Sequence, residues 1–196
     1  PKVNIIFYLI YYIFIYLYIE SNNKKCILIA CLYLLSFKLK PFIDYNNYVY
    51  YLDVGQGDSS LIIYNDEVVM IDTGGISNFF VSSGSIKLLK SLGYSHIDYL
   101  ILTHGDFDHM GDSIYLINNY KVKNVVFNCG EFNELEKKLI KVLDKKKIKY
   151  HSCIKELNID NKKLYFLQTK EYDNENDNSN VIYTKLDGYK FMFMGD

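Results

Sequence analysis

The segment Thr103-His104-Gly105-Asp106-Phe107-Asp108-His109 places two imidazoles and two carboxylates within seven residues. Both side-chain types bind divalent cations, and carboxylates suit the harder ones. A solvated loop gains nothing from four such groups so closely spaced, so the pattern reads as a metal site. The flanking residues show how it is positioned. Tyr99-Leu100-Ile101-Leu102 is an apolar run that reads as a buried strand, and a helix is expected over Asp108 to Asn118. A loop leaving a strand end and feeding a helix points His104, Asp106, Asp108 and His109 into one pocket.

The surrounding pattern predicts an α/β domain from Tyr48 onward. Tyr48 to Leu52 reads as a strand, and Ser59 to Tyr64 and Glu67 to Ile71 as a hairpin around Asn65-Asp66. A helix is expected from Ser82 or Ser83 through Ser91. Strands are expected at Ile97 to Leu102, Val122 to Phe127, Ile148 to Cys153 and Lys163 to Leu167. Glu131 to Lys147 is helical, with Leu135, Leu139, Val142 and Leu143 on one face and Lys137, Lys138, Lys141 and Lys145 on the other. That lysine face reads as solvated in preference to phosphate-binding. Lys170 to Asn180 is expected to be a loop, followed by a hairpin through Asp187-Gly188.

The amino-terminal part differs in character. Val3 to Ile19 is apolar except for Asn4, and a 17-residue helix spans about 25 Å. With a second apolar run at Cys26 to Phe37 flanked by lysines, residues 1–40 read as one or two transmembrane helices (3–19 and about 26–37). Residues 41–47 then form a linker, and membrane lipid is an expected partner. A signal peptide fits less well, because the first run has little charged leader and no small-residue cleavage site. Pro1 at the start, and Asp196 directly after an apolar strand, suggest a piece of a longer chain.

The 196 residues carry a formal net charge of −1, which excludes overall electrostatic attraction to nucleic acid but leaves local basic stretches free to act. All 22 basic residues are lysine, so phosphate contacts cannot use arginine forks. Of four cysteines, none forms a Cys-x-x-Cys pair, which excludes a thiolate zinc knuckle. Cys129 and Cys153 are expected as free thiols, with a disulfide the alternative in an oxidising space. His96 and His151 read as strand or surface residues, and Phe107 as an aromatic packed under the ligand segment.

From Tyr48 to Asp196 the chain resembles the metallo-β-lactamase superfamily, and within it the domain of the ComEC-type competence family. Five segments carry the resemblance in order: Leu52 to Asp58, Ile71-Asp72-Thr73-Gly74-Gly75, the His-x-Asp-x-Asp-His of residues 104–109, Asp177-Asn178-Ser179, and Phe193-Met194-Gly195-Asp196. The resemblance implies an αβ/βα sandwich whose carboxy-terminal part, with a final histidine motif, falls after Asp196. It implies His104 and Asp106 on one divalent ion, Asp108 and His109 on a second, and Asp196 bridging. It also implies Asp108 and His109 as the catalytic pair, and zinc or manganese as the ions. Asp72 would orient the ligand loop. Asp58 lines the pocket or stabilises its own turn, and Asn178 stands where the superfamily places a histidine. Gly111-Asp112 departs from the usual Gly-Gly.

Such a site suits hydrolysis, because two cations sharing a water lower its pKa and stabilise charge on a phosphoryl or carbonyl oxygen. The implied function is a membrane-tethered, extracytoplasmic phosphodiesterase that degrades one DNA strand during uptake beside other uptake components. The alternatives are a hydrolase of a small ester, thioester or nucleotide, and a non-catalytic binding module.

Overall fold

The computed structural model describes residues 5–43, 47–75, 82–167, 172 and 176–196. Two compact units emerge. The first is built on α1 (Ile5–Ser21) and α2 (Lys24–Ile43), which pack on one another. Asn22 turns the chain in a left-handed conformation, and Asn23 Oδ1 accepts from the Lys25 N–H at 3.0 Å to start α2. The expected membrane spans need correction here. Among the described residues, no helix is long and apolar enough to cross a membrane. The 17 residues of α1 fall short of a hydrocarbon core of about 30 Å. The sequence of α2 includes Lys24, Lys25, Lys38 and Lys40. Of the expected linker, residues 44–46 lie outside the described residues.

The second unit is an α/β sandwich of two sheets. The larger sheet has the order β1 (Tyr48–Tyr51), β2 (Ser60–Tyr64), β3 (Glu67–Ile71), β4 (His96–Ile101), β5 (Lys121–Phe127), β6 (Lys149–Ser152). Its first three strands are antiparallel, and β3 to β6 run parallel. Asn65 and Asp66 both take positive φ in the β2–β3 turn, as a tight hairpin requires. The second sheet runs β10 (Tyr189–Phe193), β9 (Ile182–Leu186), β8 (Lys162–Phe166), β7 (Glu156–Ile159), all antiparallel. Of its strands, β7 was not anticipated. Its four residues bury only Ile159 fully, too little alternation to stand out in a sequence. Part of the expected Lys170–Asn180 loop, residues 170, 171 and 173–175, lies outside the described residues.

Apolar side chains of the two sheets meet between them. Ile62, Val69, Ile71, Ile101 and Val126 face Leu164, Phe166, Ile182 and Phe193. Each such burial contributes about 1.5–3 kcal/mol, which fixes the register of both sheets. The helix expected from Ser82 or Ser83 forms as α3 (Ser82–Leu92), and on the other side of the larger sheet α5 (Ser113–Asn119) packs on β5 and α6 (Glu134–Lys146) on β6. Leu116, Leu139 and Leu143 are fully buried there. Alternating parallel strands and helices place the turns after β3, β4 and β5 along one edge of the sheet. At the opposite edge, Asp98 accepts from the Val68 N–H at 2.9 Å and pairs with Lys123 at 2.7 Å, and His96 lies 3.2 Å away.

Cys129 and Cys153 form a disulfide, which corrects the expectation of two free thiols. They follow β5 and β6, and the pairing of Phe127 with Ser152 brings them side by side. Their separation of 24 residues concealed this in the sequence. Closing a loop of that length stabilises a fold by about 3 kcal/mol. Reduction, or Cys129→Ser with Cys153→Ser, is expected to lower the stability by that amount, read from the urea midpoint at constant m-value. An unchanged midpoint would show that the bridge constrains nothing.

Candidate metal centre

The site forms where the turn after β3 meets the turn after β4. Asp72 leaves β3 with a left-handed backbone, φ 56°, and is 1% exposed. Its N–H donates to the Ile101 carbonyl at 2.8 Å, and its own carbonyl accepts from Ser59 Oγ at 3.0 Å. The carboxylate then gathers the next turn. Oδ1 accepts from the Thr103 N–H at 2.8 Å, and Oδ2 accepts from Thr103 Oγ1 at 2.6 Å and lies 3.0 Å from His109 Nδ1. Asp72 thus orients a candidate ligand, the arrangement by which carboxylates fix the tautomer of metal-binding histidines.

His109 sits in the short helix α4 (Phe107–Met110). The single helix expected over Asp108 to Asn118 is divided at Gly111-Asp112. The His109 carbonyl accepts from the Thr73 N–H at 2.7 Å, and the Asp112 N–H donates to Gly74. The carbonyl that would continue the ladder is therefore engaged elsewhere. A Cβ on Gly57 would collide with the Asp108 carbonyl, so the turn after β1 closes over α4 only with glycine there. Asn133 caps α6 in a reciprocal box with Glu136, and its Nδ2 donates to the Gly105 carbonyl at 2.8 Å, holding the ligand loop.

His104, His109 and Asp196 converge, each offering a ligand atom within 4.8 Å of the others. His109 Nε2 lies 3.2 Å from Asp196 Oδ1, and the two imidazole centroids are 4.1 Å apart. Asp196 reaches this point because Gly195 passes directly over Ser179 Oγ, where a Cβ would collide. Asp106 Oδ2 stands 3.7 Å from His104 Nε2. His104 is fully buried and its Nε2 has no hydrogen-bond partner among the described residues, while its Nδ1 lies near Thr103 Oγ1 and Ser179 Oγ, at 3.2 and 3.4 Å. A buried ring nitrogen without a partner costs free energy, and a cation facing it removes that cost. The donor set of imidazole and carboxylate fits a divalent ion.

The other sequence-derived candidates divide. Asp108 lies on α4, and its charge reaches His109. Asp58 is exposed, and its neighbour Ser59 makes the contact with Asp72. Asn178 turns its amide to the Tyr172 backbone, accepting from that N–H at 2.8 Å, and so braces the segment before Ser179. Phe107 was expected beneath the ligands. It is instead 49% exposed, because α4 directs its buried face through His109 and Met110. His151 is exposed on β6. Thr103, Asn133, Ser179 and Gly195 escaped the sequence reading as site residues, although Asn133-x-x-Glu136 is a legible capping signature.

Burial opposes a charge on His109, but the hydrogen bond and charge of Asp72, with Asp196 and Asp108, outweigh it and raise its pKa to about 9. Burial pushes the Asp72 carboxyl upward, against the donors from His109 and Thr103. In this pair we assign the proton to His109, because Asp72 as the carboxylate accepts from all of them. Because the folded pKa of His109 exceeds the ordinary 6.5, its contribution to metal-free stability is complete below pH 6.5 and lost as pH rises through about 9. Urea denaturation of metal-free protein at pH 6 and pH 9.5 should show this loss, and His109→Gln should abolish it. Asp72→Asn is expected to weaken metal binding about 10–100-fold in calorimetric titration. Unchanged affinity would show that Asp72 serves folding alone.

Residues 52–196 match the family model of the Metallo-beta-lactamase superfamily. Among curated proteins, ComE operon protein 3 of Bacillus subtilis (strain 168) is 31% identical over an alignment of length 121 that covers 54% of this chain and 16% of that protein. The chain therefore spans about a sixth of that relative. Among solved structures, a metallo-beta-lactamase from Cronobacter sakazakii (a HARLDQ motif mutant) aligns with a TM-score of 0.52 at 15% identity, covering 74% of this chain and 60% of that one. The metallo-beta-lactamase fold protein YhfI from Bacillus subtilis aligns with a TM-score of 0.50 at 16% identity, covering 71% and 55%. These likenesses concern the fold. With the family match running through the Asp72 turn, the ligand loop and Asp196, the chain belongs to the metallo-β-lactamase superfamily.

Proposed function

We propose that the domain is a metal-dependent phosphodiesterase that cleaves a single DNA strand, as a component of DNA uptake. The observation that carries this reading is the convergence of His104, His109 and Asp196 around the unpartnered Nε2 of His104. His104 and Asp106 would hold one divalent ion, Asp108 and His109 a second, and Asp196 both. When bound, such ions lower the pKa of a water and offset charge that develops on a phosphoryl oxygen. Asp106, in place of a third imidazole, makes the donor set harder, so it suits manganese or magnesium better than an all-histidine site would while still accommodating zinc. Asp72 keeps His109 oriented with Nε2 toward the cluster, and Asn133 holds the ligand loop against α6. The similarity to ComE operon protein 3 and the His-x-Asp-x-Asp-His pattern support a competence-type role. The Cys129–Cys153 bridge supports placing the domain in an oxidising, extracytoplasmic compartment.

The test is cleavage of a labelled single-stranded oligonucleotide with manganese or zinc, beside Asp108→Ala with His109→Ala. Metal-dependent cleavage is expected, reduced to background in the double variant. Turnover of a small ester with intact oligonucleotide would move the substrate class to small molecules. Absence of metal binding would end the hydrolase reading and leave a binding module.

A further inference from the structure

We propose that helix α6 and the cavity at its carboxy-terminal end form a lysine track for the phosphate backbone of a single nucleic-acid strand leading to the ligand cluster. The proposal rests on the phosphodiesterase reading and adds to it a binding surface outside the metal centre. Residues 117–123 and 146–148 line a cavity of about 590 Å³ at the sheet edge opposite the ligand loop. Four of these are Lys121, Lys123, Lys146 and Lys147, and none is a carboxylate. Lys123 is held by Asp98 at 2.7 Å. Lys121, Lys146 and Lys147 pair with no carboxylate among the described residues. In a chain of net charge −1, this is a strong local excess of positive charge.

The excess continues along α6. Lys138, Lys141 and Lys145 are exposed, three and four residues apart, and therefore share one face. Between Lys137 and Lys147 the only acidic residue is Asp144. Glu134, exposed and 3.5 Å from Lys137, offsets the charge at the start of α6, so the excess is greatest from Lys141 to Lys147, where four lysines stand against Asp144 alone. The 13 residues of α6 span about 20 Å. Its amino-terminal cap, Asn133, binds the Gly105 carbonyl within the ligand loop. One helix thus has its start on the candidate metal centre and its end at the lysine cavity.

Lysines without arginine forks suit contact with phosphates irrespective of sequence. A flexible single strand can follow the helix and also dip into the cavity, a bend that a stiff duplex resists.

The experiment measures binding of metal-free protein to a fluorescent 20-nucleotide single strand by anisotropy across salt concentrations. It compares wild type, Lys141→Gln/Lys146→Gln/Lys147→Gln, and His109→Ala. The triple variant should bind roughly tenfold more weakly at 0.1 M salt, and the slope of log K against log salt should fall in magnitude by about 2, at ~0.7 per phosphate contact. Its hydrolysis of bis(p-nitrophenyl) phosphate with manganese should stay unchanged, and His109→Ala should bind DNA as wild type does. Equal affinity and slope in the triple variant would overturn the track, as would preference for anionic phospholipid vesicles over the oligonucleotide. Lysine-dependent binding without cleavage of any phosphodiester would retain the track and remove the phosphodiesterase reading.

Discussion

A buried carboxylate organises this protein. Asp72 sits at the end of β3 in a left-handed conformation, a region that asparagine and aspartate enter more readily than bulkier residues. Its backbone is tied to β4 and to Ser59, and its side chain accepts from Thr103 twice and faces His109. Taking a carboxylate out of water is costly unless every lone pair finds a donor. Here the donors come from the segment that holds the candidate ligands, so satisfying Asp72 and orienting His109 are one event. His104 is presented by the same loop, with Thr103 and Ser179 beside its Nδ1.

The sheet determines where this can happen. Strands β3, β4 and β5 are parallel, so the chain leaves all three at the same edge. Asp72, the loop of residues 103–109, and Asn128 with Asn133 therefore belong to one neighbourhood. Asp196 enters it from the second sheet, past Gly195 and Ser179. The disulfide joins the chain just beyond β5 and β6, close in sequence to Asn133. The other edge, with the ion group of Asp98, Lys123 and His96, has a bracing role between strands.

Charge is divided in the same way. Acidic groups gather at the ligand loop, where Asp106 and Asp196 lie beside the two imidazoles and the charge of Asp108 reaches His109. Lysines gather on α6 and at the far edge. The small net charge conceals this separation, because charges of opposite sign on different surfaces cancel in a sum while their local fields persist.

Much of this was legible in the order of residues. The apolar runs located nine of the ten strands among the described residues, since a strand buried on one or both faces must show its period or its continuity. The spacing of His104, Asp106, Asp108 and His109 marked the ligand loop, because chemistry that needs several ligands places them close together. What the sequence could not show depends on contacts between distant segments. The Cys129–Cys153 bridge follows from parallel strand pairing, and the division of the helix after His109 follows from hydrogen bonds made by Thr73 and Gly74. The exposure of Phe107 depends on which face α4 buries. The roles of Thr103, Ser179, Gly195 and Asn133 arise only when four separate turns meet. Local pattern determines what each segment is, and tertiary packing decides which side chains share a space, because only packing brings residues far apart in the chain within bonding distance.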